Sequence, residues 1–211
     1  MKKKITILVV ILMLLGSVIL ACSFSSYDRV MSLSVASMVN TILVGEKIAV
    51  TKFNGDVKRG NLIVFKYPKD PSILYLMRVI GLPGETIEVR GKKVFINSKE
   101  LSEKRIKVEF PKEMNEPGKA FKELAEEGDG TYRVFYEAGS WDGSNNYDQM
   151  TKYATKAPYQ ILPGQYFVMG DCRDNSMDSR YWGTVSHEAI IGKAEMILTS
   201  LHPERNRLQL K

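Results

Sequence analysis

The stretch Gly170–Gly183, G-D-C-R-D-N-S-M-D-S-R-Y-W-G, decides the reading of this chain. Five charged residues, two serines, an asparagine and two aromatics share its fourteen positions. A solvated loop can be that polar, but it rarely closes on Tyr-Trp-Gly after two Asp-x-Arg pairs, Asp171/Arg173 and Asp178/Arg180. Such spacing predicts an ion-pair network beneath a site, because each buried charge needs a partner.

Outward from this run the pattern is mainly β. Gln165–Gly170 leads into it as a strand after the Leu162-Pro163-Gly164 turn, and Ala189–Thr199 follows as another. Earlier, Lys47–Phe53, Asn61–Lys66, Leu74–Ile80 and Thr86–Ile96 are short runs rich in β-formers. Turns at Lys58-Arg59-Gly60, Tyr67-Pro68, Gly81-Leu82-Pro83-Gly84 and Arg90-Gly91-Lys92 separate or interrupt them. Residues 28–96 and 157–211 thus form one β domain. Residues 97–156 are a polar insertion, expected as a smaller lobe, in which only Glu116–Glu127 has helical character.

At 211 residues the chain allows one domain with a small appendage, and 44% hydrophobic residues can supply its core. The net charge of +6 is spread over lysines mixed with glutamates, without a basic, aromatic nucleic-acid motif, so no nucleic-acid partner is expected. Two cysteines, Cys22 and Cys172, and two histidines, His187 and His202, cannot build a zinc site at these spacings. No metal and no cofactor is expected, nor an intrachain disulfide, since Cys22 ends an apolar run.

That apolar run defines the N-terminus. Lys2, Lys3 and Lys4 form a short basic tail, residues 1–4, and no charge follows until Asp28. Residues 5–27 are long enough to cross a bilayer as a helix. The lysines before it favour a cytoplasmic N-terminus with the main domain on the outer face. An uncleaved anchor, a lipoprotein signal ending in I-L-A-C with Cys22 acylated, and a cleaved secretory signal all share this pattern.

Four segments in order carry a family resemblance. The Gly170–Gly183 run resembles the last signature box of type I signal peptidases, the membrane-bound serine proteases that remove signal peptides from exported proteins. Ser34–Phe53, S-V-A-S-M-V-N-T-I-L-V-G-E-K-I-A-V-T-K-F, is similar to the box that holds their nucleophile. Lys58–Pro68, K-R-G-N-L-I-V-F-K-Y-P, resembles a structural strand, and Tyr75–Gly84, Y-L-M-R-V-I-G-L-P-G, the box that carries their general base. The resemblance implies a mainly antiparallel β fold with a membrane-facing apolar edge. Its groove would take an extended peptide with small residues at −1 and −3. It implies Ser37 as nucleophile, Ser176 as the support of the base, and Met38, Tyr75 and Leu76 as pocket lining. Arg78 with Asp171, and Asp178 with Arg180, would be supporting ion pairs.

One position breaks the pattern. Where the family has its general-base lysine, this chain has Met77. A serine hydroxyl is a weak nucleophile until a neighbour takes its proton, and a thioether cannot take it. Ser176 would then face sulfur. His187 is the obvious substitute by chemistry, but the family has a surface turn there and nothing in the spacing brings it to Ser37. Lys52 and Lys66 fall on structural strands and are expected to be solvated. Asn40 replaces a proline, which is expected to loosen the turn beside Ser37. Val35, Asn61 and Cys172 also depart from the boxes. Two classes follow. One is a serine endopeptidase of exported preproteins, impaired by Met77. The other is a catalytically silent member that binds signal peptides or partners a functional peptidase.

Overall fold

The computed structural model describes residues 27–34, 36–53, 55–140 and 151–210. The span expected at residues 5–27 lies outside these, apart from Tyr27. Among the described residues no helix is long and apolar enough to cross a membrane.

The first strands are β1 (Arg29–Ser32), β2 (Lys47–Thr51), β3 (Leu62–Tyr67), β4 (Asp70–Gly81), β5 (Thr86–Arg90), β6 (Lys93–Ile96) and β7 (Lys99–Glu100). There follow β8 (Lys104–Glu109), β9 (Lys122–Glu127), β10 (Arg133–Glu137), β11 (Tyr159–Gln160), β12 (Gln165–Met169), β13 (Val185–Ser186) and β14 (Ile190–Thr199). One short helix, α1 (Ser179–Trp182), lies between β12 and β13. The main sheet runs β1-β2-β14-β3-β4-β12-β13, beside a sheet β11-β5-β6-β7 and a sheet β10-β8-β9. Every strand pair is antiparallel except β10 with β8. The expectation of a mainly antiparallel β architecture is met.

The central strand shows how sequence becomes sheet. In β3, Leu62, Ile63, Val64 and Phe65 are all buried. Side chains alternate across a strand, so a continuous apolar run needs cover on both faces. Leu62 and Val64 enter a core with Leu33, Met38, Ile42, Ile48 and Leu76. Ile63 and Phe65 enter another with Met77, Val79, Val168 and Trp182. The register sets Ile63 opposite Met77 and Leu62 opposite Arg78.

The helical expectation for Glu116–Glu127 is overturned. Glu116–Lys119 is a turn, closed by Lys119 N donating to Glu116 O at 3.1 Å, and Lys122–Glu127 is strand β9. Helix-forming residues are drawn into a sheet because β8 supplies backbone partners and cross-strand charges match. Arg133 bridges Glu123, Lys104 meets Glu126 at 3.4 Å, and Lys107 meets Glu127 at 3.9 Å. Intrinsic propensity is a weak prior against such context.

The segment after β14 clasps the loop that follows β1. Glu46 accepts from Leu43 N at 2.8 Å, from Arg205 Nε at 2.6 Å and from Arg205 Nη2 at 3.0 Å. Arg205 Nη2 also donates to Thr41 O at 2.9 Å. Burial pushes the Glu46 carboxyl up, but hydrogen bonds from Arg205, Ser200 and the Leu43 amide outweigh it and hold the group below its ordinary value. A depressed folded value means stability that is complete above the unfolded pKa, roughly 4.3, and lost as pH falls through the folded one. In urea titrations, the chain should therefore lose its stability margin over Glu46→Gln below about pH 4. A margin that stays constant down to about pH 3 would contradict this account.

Candidate active site

Ser37 lies in a single 3-10 turn, Ala36–Met38. Its neighbours Ala36, Met38 and Val39 are buried, while Ser37 itself is only half-buried and faces out. Met38, expected in the pocket lining, is instead wholly buried in the core with Leu33 and Ile42. The tight turn sends apolar residues on either side of Ser37 inward, so Met38 lies beneath the site rather than in it. Ser37 O accepts from Cys172 N at 2.9 Å, which ties the turn to the Gly170–Gly183 segment.

Gly170 is the closest approach between the two. A β-carbon there would lie 2.3 Å from Ser176 Oγ and 2.7 Å from Ser37 O, so only glycine lets the segments touch. Asp178 Oδ2 fixes Gly170 by accepting its N–H at 3.1 Å. The outcome is an open groove of about 460 Å³ whose lining includes Ser37, Tyr75, Leu76, Met77 and Ser176. Folding thus brings the expected nucleophile, base position and base support to one cavity.

Among the described residues the groove has no side chain suited to take the serine proton. No Lys, Arg, His, Asp or Glu is among its lining residues. Burial and the nearby Tyr67 push the Tyr75 phenol up, so it stays protonated near neutrality. His187 is exposed at the β12–β13 corner, where its N–H donates to Gly164 O and its Nδ1 lies 3.4 Å from Tyr166 OH. His202 Nε2 pairs with Gly118 O at 2.7 Å. Lys52 and Lys66 are exposed on or beside strands β2 and β3. Cys172 is buried, and burial followed by Asp174 pushes its thiol well up, so it offers no thiolate.

Ser176 records the same gap from the other side. Its hydroxyl is buried and has no hydrogen-bond partner among the described residues. Such a group typically costs about 1–3 kcal/mol. Met77, 3% exposed, lines the same groove as that hydroxyl. Ser176→Ala should therefore leave this chain's stability unchanged or raise it by up to about 1 kcal/mol. A loss above about 1 kcal/mol in denaturant unfolding would show that the hydroxyl has a partner after all.

Charges beneath the groove pair as a network, although not as Asp-x-Arg spacing alone suggests. Asp178 and Arg180 do pair, through Nε to Oδ1 and Nη2 to Oδ2, both at 2.8 Å. Asp171 instead takes Arg78, through Nε at 2.8 Å and Nη2 at 2.7 Å, and also accepts from Thr41 Oγ1 at 2.6 Å. Arg173 takes Glu103, a fully buried pair that Tyr132 OH joins at 3.1 Å. Glu103 and Tyr132 went unnoticed in the sequence because 70 positions separate Glu103 from its arginine.

Asn40 does not loosen its turn. Its Nδ2 donates to Phe121 O at 2.9 Å, and its Oδ1 accepts from Phe121 N at 2.6 Å. Proline offers neither group; the carboxamide replaces ring rigidity with a two-bond tie to the insertion.

Comparison with known proteins gives this geometry its context. The sequence model of the family described as signal peptidase, peptidase S26, matches residues 3–199. The chain belongs to that family. Signal peptidase I from Pseudomonas fluorescens is 36% identical over 186 residues, covering 75% of this chain and 60% of the relative. Signal peptidase I from Aquifex aeolicus is 34% identical over 199 residues, covering 80% of this chain and 77% of the relative. A solved signal peptidase I from Enterococcus faecalis V583 aligns with 67% of this chain and 98% of its own, at 25% identity and a TM-score of 0.40. The chain spans about three-fifths of the length of the Pseudomonas fluorescens signal peptidase it matches.

Proposed function

We propose that this chain is a serine endopeptidase of the signal peptidase I type, impaired at its proton-transfer step. Its groove takes an extended segment of an exported preprotein with small residues at −3 and −1, adding it as a strand. Ser37 is the nucleophile, Ser176 supports the base position, and Tyr75 and Leu76 line the pockets. Met77 occupies the base position, so peptide is bound and released far faster than it is cut. The observation that carries this reading is that, among the described residues, the buried Ser176 hydroxyl has no partner and the groove it lines has no base.

Residues 5–27 anchor the chain in a bacterial-type plasma membrane, with residues 1–4 inside and the β domain on the outer face. The exposed Ile73, Leu74 and Met177 at the groove rim support a lipid-facing mouth. The lobe of residues 97–156 belongs to the same outer part. Neither metal nor cofactor takes part.

The test uses the full chain in liposomes with a preprotein bearing an Ala-x-Ala site. Saturable binding is expected, with cleavage no faster than that of Ser37→Ala. Fast cleavage that depends on Ser37 would mean that a base exists outside Met77. Absence of saturable binding would sink the peptide-groove reading itself. Binding without cleavage even after a lysine is supplied at position 77 would favour a silent binder that serves a partner peptidase.

A further inference from the structure

When a serine attacks a peptide carbonyl, the Oγ–C bond forms and the carbonyl π pair moves onto oxygen. The hydroxyl proton leaves to a base. The new oxyanion must meet hydrogen-bond donors already in place, and this is often the largest single contribution to rate. Among the described residues the groove around Ser37 holds no cationic side chain. Its side-chain donors are serine and tyrosine hydroxyls and two carboxamides, those of Asn115 and Asn175.

Asn115 is distinguished by how it is held. Ala36 N, the amide immediately before Ser37, donates to Asn115 Oδ1 at 2.9 Å. A backbone N–H can only donate, so the atom facing it is the oxygen and the planar group's amino end is the one left over. Among the described residues that amino group has no hydrogen-bond partner, and Asn115 lines the groove with Ser37. The loop that carries it is strapped to the Ser37 loop on its far side as well. Gly118 N donates to Val44 O at 2.9 Å, and Phe121 N to Asn40 Oδ1 at 2.6 Å. Rotating hydroxyls have no such fixation, and no side-chain bond holds Asn175 to the Ser37 turn.

We propose that the Asn115 carboxamide is the side-chain donor to the oxyanion formed at Ser37, which makes Asn115 a catalytic residue supplied by the insertion. The proposal rests on the reading of Ser37 as nucleophile. It assigns the insertion a direct part in chemistry that the resemblance alone gave no reason to expect.

A peptide boronic acid with small residues at the matching positions tests this without turnover. The Ser37 Oγ–B bond forms, boron becomes tetrahedral, the hydroxyl proton passes to solvent, and a boron-bound oxygen takes the oxyanion's place. Affinity is measured by competition against a fluorescent peptide, for the full chain in detergent. Asn115→Asp keeps an acceptor for Ala36 N but removes the donor; Asn115→Ala removes both without adding charge. Both should weaken boronate binding by about 100- to 1000-fold, the usual effect of one lost oxyanion donor. Binding of the same peptide as an amide should change little. Equal losses for boronate and amide would overturn the proposal, because Asn115 would then only shape the groove. Unchanged boronate affinity, or a loss seen with Asn175→Asp instead, would overturn it too. If Ser37→Ala binds the boronate as tightly as the unaltered chain, the nucleophile reading fails and the proposal falls with it.

Discussion

Met77→Lys should switch on Ser37-dependent cleavage of an Ala-x-Ala preprotein, by at least about a hundredfold. The upper bound is roughly the millionfold that removal of a coupled base costs a serine protease. Three observations converge on this. Met77 lines the same groove as Ser37, so an amine of similar reach enters the right cavity. Ser176 Oγ, buried and without a partner among the described residues, is available to hydrogen-bond it. No competing base lines the groove among the described residues. The introduced amine will be desolvated, which lowers its pKa from the usual value of about 10.4. Since the neutral form is the base, rate should rise with pH through that lowered value. Stability should rise over the same range, because the unfolded chain binds the proton that the folded one rejects. Adding Ser37→Ala to Met77→Lys should return cleavage to background. Cleavage by Met77→Lys no faster than by the starting chain would show that more than the base is missing.

The second large effect concerns the charges under the groove. Asp171→Ala should destabilise the chain by about 3–5 kcal/mol, because it removes one partner of a buried pair and leaves the other charge in place. Both side chains of Arg78–Asp171 are 1% exposed. The substitution also removes the acceptor of Thr41 Oγ1 in the Ser37 loop. In thermal unfolding this corresponds to a fall of roughly 6–20 °C for a chain of this size. Replacing both partners by apolar residues of similar volume should recover much of the loss, since the desolvation burden disappears with the charges. A loss below about 1 kcal/mol for Asp171→Ala would mean that water reaches the guanidinium and the pair is not truly buried.

How much of this was legible beforehand depended on the range of the interactions. Strands β2, β3, β4, β12 and β14 announce themselves through apolar, β-branched runs closed by Gly/Pro turns, and they appear where those runs lie. Strands β8 and β9 do not. K-R-I-K-V-E masks its alternation with long charged side chains, and K-E-L-A-E-E, exposed throughout, has none and suits a helix equally well. Only the partner strand decides between the two. The Gly170–Gly183 run signalled buried charge, and Asp178–Arg180, two residues apart, could be paired from spacing. Arg173 could not, because its carboxylate comes from Glu103 in a segment that reads as solvated polar loop. Met38 and Ser37 are adjacent in sequence and opposite in fate, a distinction made by one turn of 3-10 geometry. Asn40 looked like a defect when set against proline, and only the position of Phe121 reveals what its carboxamide holds.

The Glu103–Arg173 pair also bears on how such proteins can be recombined. One charge belongs to residues 97–156 and the other to the segment that holds Ser176, with Tyr132 and Tyr136 closing around them. Excising the insertion, or grafting one from a relative that lacks a carboxylate at this point, would strand a guanidinium in a dry interior. Residues 97–156 and the groove are therefore one inheritance unit: chimaeras that carry Glu103 across with Arg173 should fold, and those that part them should not.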